Sequence, residues 1–428
     1  MPAKKILALS IAACITCATS LRAQAQPAPL YLDPAQPIDK RVDDLIGRMT
    51  LEEKATELDH KASAIARLKI PAWSGWNQCL HGVWSKSRTT TLFPTSIAMA
   101  ATWDPDLCHA EADAMSDEAR AMYNIHEQGP QTPCGLVYRG PVINISRNPL
   151  WGRIQECYGE DPYLTGRFGV AYVKGLQGDD PKYMKIAATL KHYAVNNVEN
   201  GRQSLSATVP ERMLYEYWLP HFRDCVVEGH AASMMAAYNA INGAPCAVNK
   251  LLLTDIPRGQ WGWDGFVVCD LAGVRHLVDG QHLTTDMAVA VADALNAGCD
   301  YDDAEYRTNI PQAVARKLVT EDVVNRALAR VLKVGFRLGA FDPPEMVPFT
   351  KITAASIDSK EHRELALKVS RESIVLLTNK DNFLPLDKSK IKTIAVVGPA
   401  ATTPEYGNYY NYNAQQINTT ALHVFPLA

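Results

Sequence analysis

Hydrophobic and polar positions along this chain follow two alternating patterns. Short apolar runs stop abruptly on polar residues, and between them lie longer stretches with apolar residues three and four positions apart. The runs predict buried strands, and the longer stretches predict amphipathic helices. Residues 141–145 lead into Ser146, Arg147 and Asn148, then to Trp151, Gly152 and Arg153. Residues 186–190 lead into Lys191, His192 and Tyr193, residues 231–237 into Tyr238 and Asn239, and residues 266–269 into Asp270. Helical stretches at 162–177 and 211–228 separate them. Strands alternating with helices predict a parallel sheet, and polar residues at several strand ends predict the mouth of a barrel. A doubly wound open sheet is the alternative; a Gly-rich phosphate loop would favour it, and the sequence has none.

The remaining pattern fills in around these strands. Val42, Leu45, Ile46 and Met49 recur at helical spacing, and Thr50 with Glu53 predicts a capping box opening a second helix. Further helices are expected near 289–298, as a pair between 314 and 336, and at 360–372. Residues 341–345 (Phe-Asp-Pro-Pro-Glu) form a linker by composition. Residues 393–399 read as a buried strand opening a new α/β unit. The polar, Tyr- and Asn-rich stretch from Ala400 onward does not complete that unit.

Composition narrows the class. A chain of 428 residues, 47% hydrophobic and 21% charged, suits one large α/β domain plus a smaller piece. A net charge of -3 without a basic stripe argues against a nucleic-acid partner. At the N-terminus, Lys4 and Lys5 precede an apolar run ending near Leu21, and Ala23-Gln24-Ala25 reads as a cleavage site. Residues 1–25 are therefore expected to be a signal peptide, and the protein to be exported to a periplasmic or extracellular space. The run is too short for a membrane anchor and is broken by Ser10, Thr16 and Thr19. Eight cysteines outside that segment are scattered with no C-x-x-C pair, so zinc is not expected, and neither is any other metal or cofactor. One or two disulfides would be compatible with export, with the connectivity open. Cys269 reads as a small buried residue.

Asp270 stands where a buried strand ends. A carboxylate there is costly without a partner or a task. Its plainest role is an N-cap for a helix beginning at Leu271. Arg153, Lys191, His192 and Tyr238 also stand at strand ends, and Gln78 lies on an earlier loop with Trp76, Asn77 and His81. One carboxylate among cations, amides and phenols is not a metal-ligand set. No G-x-S-x-G nucleophile elbow is present. A carboxylate held among donors fits a glycosidase, with Asp270 attacking an anomeric carbon while the others grip sugar hydroxyls. Structural roles stay open for each. Lys191 suits a solvated rim, His192 a core imidazole, Tyr238 an interface, and Arg153 a partner for Glu156 or Glu160.

The sequence resembles the family 3 glycoside hydrolases from about Asp33 to about Tyr410. The motifs that carry the resemblance are Met49-Thr50-Leu51-Glu52-Glu53-Lys54, Trp76-Asn77-Gln78-Cys79-Leu80-His81-Gly82-Val83, Asn148-Pro149-Leu150-Trp151-Gly152-Arg153 and Tyr158-Gly159-Glu160-Asp161-Pro162. They continue with Lys191-His192-Tyr193, residues 235–243 and residues 265–270. The resemblance implies a (β/α)8 TIM-like barrel over 30–340, a linker and connecting helix over 341–391, and the start of an α/β/α sandwich over 392–428. It also implies retaining hydrolysis with Asp270 as nucleophile, and a sugar subsite lined by Gln78, Arg153, Lys191, His192 and Tyr238.

The stretches around Gln78 and Tyr238 are most similar to the xylosidase branch. The expected partner is a terminal β-linked sugar of a plant-derived oligosaccharide; no oligomeric state is implied. A β-glucosidase is the alternative within the class, and a sugar-binding protein without turnover the alternative from another class. Three departures stand out. Gln78 replaces a Glu usual in that branch, Cys269 replaces a Ser, and Leu271 stands where an aromatic or Cys often follows the nucleophile. The family's general acid/base is a Glu in the sandwich, beyond the Gly398-Pro399 and Gly407-Asn408-Tyr409 motifs. No residue here is matched to it, so the sequence reads as a C-terminally truncated member. A branch that carries its acid/base in a K-H-F-P-G-H-G-type barrel loop is not matched by residues 191–197.

Overall fold

Thr50 and Glu53 close the expected capping box. The Thr50 hydroxyl accepts from the Glu53 N–H at 3.3 Å, and the Glu53 carboxylate accepts from the Thr50 N–H at 2.9 Å. That box opens the helix Leu51–Glu57, after Ile38–Ile46 has buried Val42, Leu45 and Ile46. The computed structural model describes residues 29–85, 88–126, 135–398, 401 and 406–409. The expected signal peptide, Cys134 and the tail from Asn411 lie outside the described residues.

Four parallel strands form the central sheet: β1 (Val137–Tyr138), β2 (Ala187–Tyr193), β3 (Ser233–Ala236) and β4 (Phe266–Cys269), paired in that order. Single parallel bridges extend it at both edges. Asn77 pairs with Tyr138 on one side, and on the other Tyr301 pairs with Val268 and Asp59 with Asp302. All residues of the four strands are buried, as expected of a parallel sheet covered by helices. The covering helices include α1 (Pro105–Asn124), α2 (Pro162–Gln177) and α3 (Glu321–Arg337). Asp104 and Asp161 cap α1 and α2, each followed by Pro at the first turn, where no N–H is needed. This is a TIM-barrel-like, curled parallel sheet wrapped by helices.

Several expected elements take a different form. The run 141–145 is not a paired strand; Pro141 has no N–H to give the ladder, and only the Val142–Lys191 bridge remains. The stretch 211–228 is not one helix. A short turn and a π segment end at Trp218, and a new helix, Pro220–Val227, starts at the proline. Asp270 caps no helix. Its Oδ1 accepts from the Leu271 N–H at 2.8 Å, and the next helix, His276–Asp279, begins after Arg275. The seven described cysteines, at 79, 108, 157, 225, 246, 269 and 299, are buried free thiols.

The largest correction concerns residues 393–398. They form no strand, and Ile394, Val396 and Val397 are exposed, Val397 at 86%. Residues 374–377 behave likewise, with Leu377 at 91%. An apolar run becomes a buried strand only beside a partner strand, and none of the described residues supplies one.

The connecting helix α4 (Lys360–Glu372) is docked by a buried carboxylate. Glu118, on α1, accepts from the Thr91 N–H (2.9 Å) and the Asp358 N–H (3.1 Å), and its Oε1 meets His362 Nδ1 at 2.9 Å. Burial alone would lower the His362 pKa; the hydrogen bond and charge of Glu118 override it and hold His362 above its ordinary value. A raised histidine stabilises fully below its unfolded value of about 6.5, and that stabilisation fades as pH rises through the higher folded value. His362→Ala is therefore expected to loosen α4 at about pH 5.5 and to change little at about pH 9. Hydrogen exchange of residues 360–372 checks this; an equal loss at both values would contradict the pairing.

Candidate active site

β2 and β4 place the two residues at the centre of the site. β4 ends at Cys269, its N–H bonded to the Tyr301 carbonyl, and the Asp270 N–H is bonded to the Ala236 carbonyl of β3. These bonds hold the Asp270 backbone at the C-terminal edge of the sheet. β2 runs on through Lys191, His192 and Tyr193, all buried, so these are strand residues and not a loop beyond it.

His192 is held by Asn144. The Asn144 Oδ1 accepts from the His192 N–H at 2.9 Å and lies 3.0 Å from Nδ1, while its Nδ2 donates to the His192 carbonyl at 2.8 Å. A side-chain amide thus satisfies the backbone of His192, one residue beyond the backbone bonds that Pro141 and Ile143 make with Lys191. An amide oxygen only accepts, so the imidazole proton sits on Nδ1 and leaves Nε2 as an acceptor. Nε2 lies 3.4 Å from Arg153 Nη1 and 3.6 Å from Asp270 Oδ2. Burial, then the charges of Arg153 and Lys191, hold His192 well below its ordinary pKa. The ring is neutral beside Asp270 and makes no ion pair with it.

The cations around Asp270 differ in their partners. Arg153 is gripped by Glu156, with Nη2 2.7 Å and Nε 3.1 Å from Oε2. Burial would lower the Arg153 pKa, but the Glu156 charge overrides it and raises it. Arg139 is buried and paired in the same way with Asp303. Lys191, 1% exposed, donates to the Gln78 amide oxygen at 3.0 Å. Burial, then the Arg153 charge, lowers its pKa to about 7, with Glu156 and Asp270 opposing. Tyr238 is half-buried, donates to the Leu271 carbonyl at 2.8 Å, and has its pKa raised by burial and then by Asp270.

The structure therefore gathers all six expected residues. Lys191 is not a solvated rim, and Arg153 does pair with Glu156, as its structural role anticipated, while still facing His192. Four further residues escaped the sequence reading as members of the site: Asn144, the Arg139–Asp303 pair and Tyr409. Asn144 had a signal, a polar residue inside an apolar run. Tyr409 had one in the Gly407-Asn408-Tyr409 motif, which carried the resemblance without implying a place in the site.

Comparison with known proteins places the chain in a family. A model of the glycosyl hydrolase family 3 N-terminal domain matches residues 44–334. Beta-D-xylosidase 3 of Arabidopsis thaliana is 39% identical over 396 residues, covering 87% of this chain and 50% of that protein. Xylan 1,4-beta-xylosidase of Xylanibacter ruminicola is 37% identical, covering 94% of this chain and 47% of that protein. A solved GH3 exo-β-xylosidase in complex with a xylobiose aziridine probe superposes with a TM-score of 0.83 at 31% identity, covering 89% of this chain and 51% of its own. A β-glucosidase from Erythrobacter marinus superposes at 0.79 with 28% identity, covering 92% and 59%. The chain spans about half the length of the curated relatives it matches. By the family match over most of its length, the chain belongs to glycoside hydrolase family 3.

Proposed function

We propose that this protein is an exported, exo-acting, retaining β-glycosidase, most specifically a β-xylosidase, with Asp270 as nucleophile. The observation that carries the reading is the Asp270 carboxylate at the sheet edge, facing a neutral His192 at 3.6 Å amid Lys191, Arg153 and Arg139. Names of similar proteins favour xylose. The second reading is a β-glucosidase, favoured by the superposition at 0.79.

In this reading the curled sheet is a (β/α)8-type barrel over 30–340. Residues 341–391 connect it to the start of a sandwich at 392–428, and residues 1–25 direct export. Asp270 attacks the anomeric carbon and forms a glycosyl ester, while the aglycone leaves with its bonding electrons and takes a proton from solvent water. Water then cleaves the ester. Lys191, Arg153 and Gln78 hold sugar hydroxyls, and the neutral His192 Nε2 accepts from one. Glu156, Asp303 and Asp302 are already engaged with Arg153, with Arg139, and with Cys269 and two backbone N–H groups. None of the three is assigned here as general acid.

Asp270→Asn is expected to abolish the covalent adduct formed with a 2-fluoro xyloside, read as the mass of the intact protein. An adduct that persists in the variant, or maps to Asp264 or Asp302, refutes the assignment.

Gln78→Glu places a carboxylate against Lys191 and is expected to raise the Lys191 pKa above about 7. Xylose binding should strengthen, and the pH at which it weakens should move upward, because charge-assisted hydrogen bonds are the stronger ones. Calorimetric titration across pH checks both; unchanged affinity places Gln78 outside the subsite.

A retaining enzyme needs a second carboxyl group about 5–5.5 Å from the nucleophile to protonate the leaving group and later activate water. That assistance is worth about 10²–10⁴-fold. Without it, dinitrophenyl xyloside should react while xylobiose barely does, and azide should speed turnover by attacking the ester to give a β-glycosyl azide. Xylobiose hydrolysis at a comparable rate, indifferent to azide, would show that a carboxylate of this chain already fills the role.

A further inference from the structure

Residues 406–409 lie against the barrel beside the site. Asn408 Nδ2 donates to Glu156 Oε1 at 2.8 Å, and His81 Nε2 meets the Asn408 carbonyl at 2.7 Å. Gly407 has φ +76, and a Cβ there would lie 2.6 Å from Thr95 Cγ2 and 2.9 Å from Gln155 Oε1, so the close approach requires glycine. The Tyr409 ring packs on the apolar cluster of Leu80, Val142, Trp151 and Cys157. Its other contacts are charged. The Lys191 ammonium lies 4.7 Å from the ring centroid, and Arg153 Nη2 reaches the Tyr409 hydroxyl at 3.5 Å.

Resting on the sugar-subsite reading above, we infer that Tyr409 is a positioning residue for that subsite, its ring face holding the Lys191 ammonium in register with Gln78. Two features of Lys191 call for such a group. It is buried, and the Gln78 amide beside it carries no charge. The negative face of an aromatic ring stabilises a desolvated cation without giving it a carboxylate partner. A sugar hydroxyl can then accept from the ammonium's remaining N–H donors, since a ring face takes the place of a second hydrogen-bond acceptor. Glu156 links the two parts of the arrangement, since one carboxylate holds both Arg153 and the Asn408 side chain. The segment that carries Tyr409 is thereby fixed to the same ion pair that aims Arg153.

The test compares the full chain with Tyr409→Phe and Tyr409→Leu, by calorimetry with xylose and by rates on dinitrophenyl xyloside. Tyr409→Leu should weaken xylose binding about tenfold and raise KM, with kcat changed by less than about threefold. Tyr409→Phe keeps the ring and should stay within about threefold of the unmodified chain on both counts. Thermal midpoints of all three should agree within about 2 °C, which separates positioning from loss of fold. Binding by Tyr409→Leu equal to the unmodified chain would make the ring mere packing. Tighter binding would mean that the ring blocks the site. A loss in Tyr409→Phe as large as in Tyr409→Leu would move the effect to the hydroxyl. Each of these three overturns the inference. A chain that binds xylose in a Tyr409-dependent way yet turns nothing over would refute the catalytic reading and leave this one standing.

Discussion

Buried cations set the terms of this site. Arg139, Arg153 and Lys191 lie together at the C-terminal edge of a parallel sheet, where an unpaired charge is expensive to hold. Each has been given a different answer. Arg153 has Glu156 in a fork, Arg139 has Asp303, and Lys191 has the amide of Gln78 and the face of Tyr409. The two carboxylates nearest the arginines are consumed by them. Asp270 is not: the nearest basic group is a neutral imidazole at 3.6 Å, and its own hydrogen bond comes from a backbone N–H. A carboxylate locked in a bidentate ion pair has its lone pairs occupied, whereas one held by a single backbone N–H keeps lone pairs open to other partners. The pairing scheme therefore does two things at once. It makes the buried charges tolerable, and it leaves one anion uncommitted.

The neutral His192 follows from the same constraint. Protonating it would add a further positive charge beside Arg153 and Lys191, in a place already out of water. Asn144 fixes which nitrogen keeps the proton, so Nε2 is the acceptor, with Arg153 Nη1 as its donor at 3.4 Å. The backbone of the neighbouring run stops at the residue before: the Lys191 N–H donates to the Pro141 carbonyl and the Ile143 N–H to the Lys191 carbonyl. At His192 the Asn144 side chain takes over, bonding both the N–H and the carbonyl.

Much of this was legible in the sequence because strand-end chemistry is local. The run 266–269 needs only its own hydrophobicity and Gly265 to mark a strand, and Asp270 follows by position. The capping box at Thr50 and Glu53 is likewise written within four residues. What failed depended on partners far along the chain. That Lys191 is buried, and not a solvated rim, is decided by Gln78 more than a hundred positions earlier and by Tyr409 far beyond it. The helix expected over 211–228 failed for a nearer reason, since Pro220 was read as part of an amphipathic pattern when it is a boundary.

Residues 393–398 teach the same lesson from the other side. Their β-branched apolar sequence is what a central parallel strand looks like, yet Val396 and Val397 face solvent. Hydrophobicity specifies that a segment gains by burial; it does not supply the surface that buries it. The connecting helix just before them is docked because Glu118 and His362 give it a directional contact and Val369 a buried one. Residues 374–377 and 394–397 have apolar side chains only, which attract without direction. They are buried only where complementary apolar surface is present, and the described residues offer them none. The next described contact with the sheet's site comes at Asn408, whose carbonyl meets His81 and whose side chain donates to Glu156.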